Sequence, residues 1–130
     1  MKRFFSTVSD CTLKRASLSA AQDYAILSGG VPGGNLGICF FGDNGAAAIP
    51  FGSLGGLLCV QPPFFRTGPK PSGGSAGACD GNYVFTLQDL VAASPVVVEG
   101  AQIHAEIWAR DPANPDGYLL SNALRFNVCP

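Results

Sequence analysis

The residues best placed to do chemistry lie in one stretch, Gln102-Ile-His-Ala-Glu-Ile-Trp-Ala-Arg110. His104 is the only histidine of the chain, so acid–base chemistry near neutral pH would centre on it. Glu106, Trp108 and Arg110 follow at steps of two. A carboxylate two residues from an imidazole along a strand is a same-side neighbour, not a defined dyad, and a half-exposed histidine on a sheet face is the plainer reading. A Cys–His nucleophilic pair would require a contact between strands that spacing alone does not reveal. Gly73-Gly-Ser-Ala-Gly77 has the letters of a nucleophile elbow, which needs a buried strand before the serine and a helix after it. Here Pro69 and Pro71 precede and Ala78-Cys-Asp-Gly81 follows, so Ser75 reads as part of a surface loop. Asp111-Pro-Ala-Asn-Pro-Asp-Gly117 gathers three oxygen-bearing side chains, but it departs from calcium-loop spacing and lacks the closing bidentate glutamate. An Asx-turn connection between strands is expected instead. No catalytic, cofactor or metal residue is assigned.

The cysteines, Cys11, Cys39, Cys59, Cys79 and Cys129, contain no close pair of the kind zinc requires. Scattered single cysteines in strands read as disulfides, which implies an oxidising compartment. The expected bridges are Cys39–Cys129 and then Cys11–Cys59, with Cys79 left unpaired in its glycine-rich loop. The aromatic residues pose a different question. Phe40-Phe41 and Phe64-Phe65 are consecutive, so in strands one ring of each pair faces away from the core unless the other side is also covered. With one Trp and three Tyr the chain is poor in sugar-stacking side chains. Phe4, Phe5, Phe64, Phe65, Trp108 and Tyr118 are therefore expected to form a contact surface between copies.

The elements that must position these residues are mostly strands. From Gln102 to Arg110 the side chains alternate, with Ile103, Ala105, Ile107 and Ala109 on one side. That period predicts a strand with one buried face, ended by Asp111-Pro112. Further strands are predicted over 12–18, 23–28, 36–41, 57–61, 82–87, 96–99 and 124–129. Gly29–Gly34, Gly42–Gly45, Gly55-Gly56 and the run from Thr67 to Gly77 supply turns. Residues 19–27 could start as helix but are read as strand in their second half, and 87–93 as a short helix or turn. Short strands between glycine-rich turns predict an all-β fold, an antiparallel β-sandwich of jelly-roll or immunoglobulin-like type with about seven to nine strands. The domain is read as 17–130, with 1–16 as an N-terminal extension that could serve as an assembly arm.

Composition narrows the function classes. Seventeen glycines, 10 prolines and only 13% charged residues stand against roughly a quarter charged in ordinary domains. Low charge favours association, because charge is what keeps protein surfaces apart. The net charge is −1, and no basic cluster exists beyond Lys2-Arg3 and Lys14-Arg15, which argues against a nucleic-acid partner. The apolar runs are too short to span a bilayer as helices. The start, Met1-Lys-Arg-Phe-Phe, is basic like a signal peptide but is followed by Ser6, Thr7, Ser9 and Asp10, so no hydrophobic stretch forms. Export is expected to rely on a signal outside this sequence.

Several segments together resemble a poorly characterised β-domain of large secreted bacterial proteins. They are Ser17-x-x-Ala-Ala-Gln-Asp23 with Leu27 and Gly-Val-Pro32, then Cys39-Phe-Phe-Gly, Phe51-Gly, Leu57-Leu-Cys-Val60 and Arg66, then Trp108-Ala-Arg-Asp-Pro112 and Leu120-Ser-Asn-Ala-Leu124 before Val-Cys-Pro130. The resemblance implies a β-sandwich in an extracellular setting, in which the Trp108 strand pairs with the terminal strand. It implies no catalytic residue. The expectation is an extracellular, non-enzymatic structural subunit that self-associates into a surface assembly or filament. A carbohydrate-binding or adhesion module, with Trp108, Tyr118 and the 111–117 loop at its glycan site, is the alternative.

Overall fold

The computed structural model describes residues 3–5 and 16–130, with side chains from residue 16 onward. Its strands are β1 (Arg3–Phe5), β2 (Ala16–Ser17), β3 (Ala25–Val31), β4 (Leu36–Gly42), β5 (Ala46–Phe51), β6 (Gly56–Val60), β7 (Phe65–Arg66), β8 (Lys70–Pro71), β9 (Gly81–Thr86), β10 (Gln102–Arg110), β11 (Tyr118–Leu120) and β12 (Leu124–Cys129). One α-helix, α1 (Leu87–Ala93), interrupts them, and Leu18–Ala20 forms a 3-10 turn. The fold is mostly β, as the alternation predicted, but twelve strands are described where seven to nine were expected, several only two or three residues long. Pairing is not wholly antiparallel: β2 runs parallel to β12.

Three sheets form among the described residues. The large one runs β2-β12-β10-β4-β7, with β11 also on β10 and β8 also on β4. The small one runs β1-β3-β9, and β5 pairs with β6 as a separate hairpin. In the large sheet β10 is central. It pairs antiparallel with β4, Ala105 opposite Phe41 and Ala109 opposite Gly37, so small residues face large or absent side chains. Its first half pairs with β12, from Gln102 opposite Asn127 to Ala105 opposite Leu124. Its second half pairs with β11 instead.

One core joins the small and large sheets. Ile103, Ala105, Ile107 and Ala109 of β10 are fully buried with Cys39 and Phe41 of β4, Phe126 of β12, Phe85 of β9, and Leu87 and Leu90 of α1. Each large apolar side chain sequestered this way contributes roughly 1.5–3 kcal/mol. Gly37 permits the sheets to meet, because a Cβ there would stand 2.6 Å from Cζ of Tyr83 on β9. The Tyr83 hydroxyl donates to the Asn35 carbonyl at 3.0 Å. α1 starts in a capping box: Asp89 N donates to Thr86 Oγ1 and Thr86 N donates to Asp89 Oδ2. Lys70 Nζ reaches the same Asp89 oxygen at 2.6 Å. Burial alone would raise the Asp89 pKa; the Lys70 ammonium and the Thr86 donors outweigh it and hold the carboxyl below its ordinary value.

The N-terminal extension supplies β1 to the edge of the chain's own small sheet, with Phe4 opposite Ser28 and Phe5 opposite Leu27. The Phe4 and Phe5 side chains and most of the strand expected over 12–18 lie outside the described residues. Three expectations need correction. Val96–Glu99 is not a strand but a turn, with Val98 N donating to the Val96 carbonyl and Ala101 N to that of Val98. The β5 strand was not expected, since Ala46-Ala-Ala-Ile-Pro-Phe51 has weak strand propensity and a proline that only an edge tolerates. Leu120–Leu124, which the resemblance implies is strand, is not continuous: residues 121–123 break it. There the buried Ser121 Oγ accepts from Ile107 N at 2.9 Å, replacing the missing ladder bond.

Candidate functional site

The face of β10 that carries Gln102, His104, Glu106, Trp108 and Arg110 points away from the core, and the β5–β6 hairpin lies across it, β6 touching both β10 and β11. Three contacts fasten the hairpin. Cys59 N on β6 donates to Glu106 Oε1 at 2.8 Å. At the tip, Ser53 N donates to Asp116 Oδ2 at 2.9 Å, and Ser53 Oγ donates to Asp116 Oδ1. Gly52 makes this tip possible: its φ is +81°, and a Cβ there would collide with the Tyr118 hydroxyl.

The cover changes the chemistry beneath it. Glu106 is completely buried, and its Oε2 has no hydrogen-bond partner. Burial pushes its pKa from 4.5 up to about 7, an effect that the Cys59 N–H bond offsets only in part. His104 is buried as well, with Nδ1 unpartnered. Burial and the positive charge of Arg125, its cross-strand neighbour, hold the imidazole pKa below 6.5. The half-exposed histidine expected from the sequence is therefore wrong. The reason is a hairpin distant in sequence that roofs the polar side of the strand. The Cys59 thiol is raised by burial and by the Glu106 charge, and the core thiol of Cys39 is raised further by burial. Both shifts make a thiolate less available, the opposite of an activated nucleophile.

Beside the buried pair the hairpin leaves a groove of about 330 Å³. Ile38, Phe40, Phe64, Arg66 and Trp108 line it together with Phe51 and Leu58 of the hairpin. Phe40 and Phe64 meet edge to face at 5.4 Å. Trp108 stacks on Tyr118 at 5.8 Å, Phe51 leans on Tyr118 at 5.3 Å, and Arg110 lies over the indole at 5.7 Å. A wider depression of about 440 Å³ lies between the hairpin tip and residues 114–122, with Cys59 in its wall.

Of the expected contact residues, Phe64, Trp108 and Tyr118 belong to this aromatic face, whereas Phe65 packs against the core beside Phe41 at 6.0 Å. The consecutive phenylalanines thus divide between two covered sides, Phe41 inward and Phe40 under the hairpin, both buried. The acceptors of the 111–117 loop are engaged within the chain: Ala113 N donates to Asp111 Oδ1, Asp116 N donates to Asn114 Oδ1, and the Asp116 carboxylate holds Ser53 of the hairpin. Ser75 sits in an irregular loop whose backbone N–H binds Asp80 Oδ1 at 2.8 Å, and no helix follows it. Among the described residues no group of three or more His, Cys, Asp or Glu side chains could hold a metal ion.

The expected disulfides are overturned. Cys39, Cys59 and Cys79 are free thiols, so neither Cys39–Cys129 nor Cys11–Cys59 forms. Cys39 lies in the core and Cys59 on the roofing hairpin, places that the scatter of cysteines along the sequence does not distinguish. Cys129 is disulfide-bonded, and Cys11 lies outside the described residues. Cys79 is free, as expected. The burial of Glu106 and the groove went unrecognised in the sequence. The available signal was the pair of phenylalanine doublets, which demanded cover on both sides of a sheet. No protein-family model matches the chain, and neither a curated protein nor a solved structure matches it.

Proposed function

We propose that the chain is an extracellular structural subunit, a mostly antiparallel β-sandwich that associates with further copies of itself into an open assembly. The observation that carries this reading is apolar surface on the outward sides of two different sheets. Leu27 and Val84 are cross-strand partners on β3 and β9, 41% and 47% exposed. On the hairpin roofing the large sheet, Phe51, Leu54 and Leu57 are 39%, 60% and 43% exposed. Joining one face to the other is a heterologous contact, which yields an open filament wherever the rotation between copies does not close a ring. Only 13% charged residues oppose such contacts. The disulfide at Cys129 fits an oxidising, extracellular setting.

Sedimentation velocity over a range of concentrations tests the reading. Wild type forms larger species as concentration rises, and the Leu27→Lys/Val84→Lys pair remains monomeric with unchanged circular dichroism. Equal sedimentation of the two proteins contradicts it. The stacked Trp108–Tyr118 pair favours a second reading, a carbohydrate-binding or adhesion module. Retention on a glycan array that is lost in Trp108→Ala supports that reading, although the neighbouring loop's acceptors are already engaged.

A further inference from the structure

We propose that the groove between the β5–β6 hairpin and the large sheet is a binding site for a small amphiphile with an apolar body and one anionic head, such as a medium-chain carboxylate. Its volume, about 330 Å³, lies at the small end of the range for small-molecule sites. Its lining is apolar or aromatic except for one group, the Arg66 guanidinium. Walls whose only hydrogen-bonding side chains are Arg66 and the indole N–H of Trp108 leave most hydroxyls of a sugar unpaired and accept a hydrocarbon chain or ring.

Charge selects the head. Arg66 makes no hydrogen bond or ion pair with any described residue, and its fork of donors matches a carboxylate. It pairs across the strands with Phe40, which also lines the groove, so its position relative to the apolar body is fixed by register. Body and head therefore have complementary places at one site. Glu106 does not compete for the guanidinium: it lies on β10, on the far side of β4 from β7, with its carboxyl capped by Cys59 N. This site is separate from the Leu27–Val84 face, but it shares Phe51 with the hairpin face invoked for assembly, which is why sedimentation is followed alongside binding.

Trp108 is the only tryptophan and lines the groove, so its fluorescence reports directly on occupancy. The experiment titrates the full chain with decanoate, decanol and decyltrimethylammonium, each below its micelle concentration, and follows sedimentation in parallel. Decanoate gives a saturable, single-site change in emission without altering the sedimenting species. Decanol binds about ten-fold more weakly, and the ammonium still less, because only the carboxylate gains a charge-assisted bond. Arg66→Gln weakens decanoate to the level of decanol, and Arg66→Lys restores part of the difference. A response that is absent, that is equal for decanoate and decanol, or that is unchanged in Arg66→Gln overturns the proposal. So does an emission change that tracks dissociation of an oligomer, which assigns the groove to a second copy.

Discussion

Glu106 is the side chain whose environment departs furthest from what its type prefers. A carboxyl with one donor on Oε1 and nothing on Oε2 is held without solvent, and its folded pKa of about 7 follows from that. Unfolded, the group titrates near 4.5. Between these values the folded state keeps a proton that the unfolded state has lost. The associated stability is therefore fully present below about 4.5 and is lost as pH rises through about 7. His104 acts with the opposite sign: its lowered pKa contributes stability above 6.5 that is lost as pH falls. The Cys59 thiol also faces the carboxyl, so the whole-protein profile mixes several groups. Comparing Glu106→Gln with wild type isolates the carboxyl. Urea unfolding of the two proteins should give an advantage of Gln over Glu that grows by about 2 kcal/mol from pH about 5 to about 8. A difference independent of pH removes the buried-carboxyl account. The sequence placed Glu106 correctly on the polar side of the strand. Its burial was illegible, because the cover comes from residues 46–60 and period-two patterning describes one strand at a time.

At the scale of elements, the hairpin is the part on which the site depends. It is joined to the large sheet by the Glu106–Cys59 bond near one end and by Asp116–Ser53 at the tip. Asp116→Ala removes the tip contact while leaving the core intact. Amide exchange at Ser53 and Cys59 should become faster in that variant, and Trp108 emission should shift to the red as water enters the groove. Unchanged exchange at both amides means that the tip contact does not hold the hairpin down. The elements legible in the sequence were those with strong local signals. β10 and β12 carry clear alternation and end at Asp-Pro and Cys-Pro, and Thr86 with Asp89 caps α1. β5 was not legible, since its alanines and Pro50 form a strand only because β6 offers a partner. The turn at Val96–Val98 misled in the other direction: β-branched residues suggest a strand, but none of the described strands pairs with them.

For the molecule as a whole, covered and uncovered faces alternate. The core between the small and large sheets is closed, the outer side of the large sheet is roofed by the hairpin, and apolar residues remain exposed beyond both. Low charge and many glycines, visible in the composition, are the counterpart of this distribution. Which surfaces remain open was not visible there, because exposure depends on how distant strands stack. The assembly reading turns on whether these opposite faces meet between copies. Negative-stain electron microscopy of the purified chain at high concentration is the most direct test. The account predicts open, head-to-tail rows that vanish in the Leu27→Lys/Val84→Lys protein; dispersed single particles of wild type would contradict it.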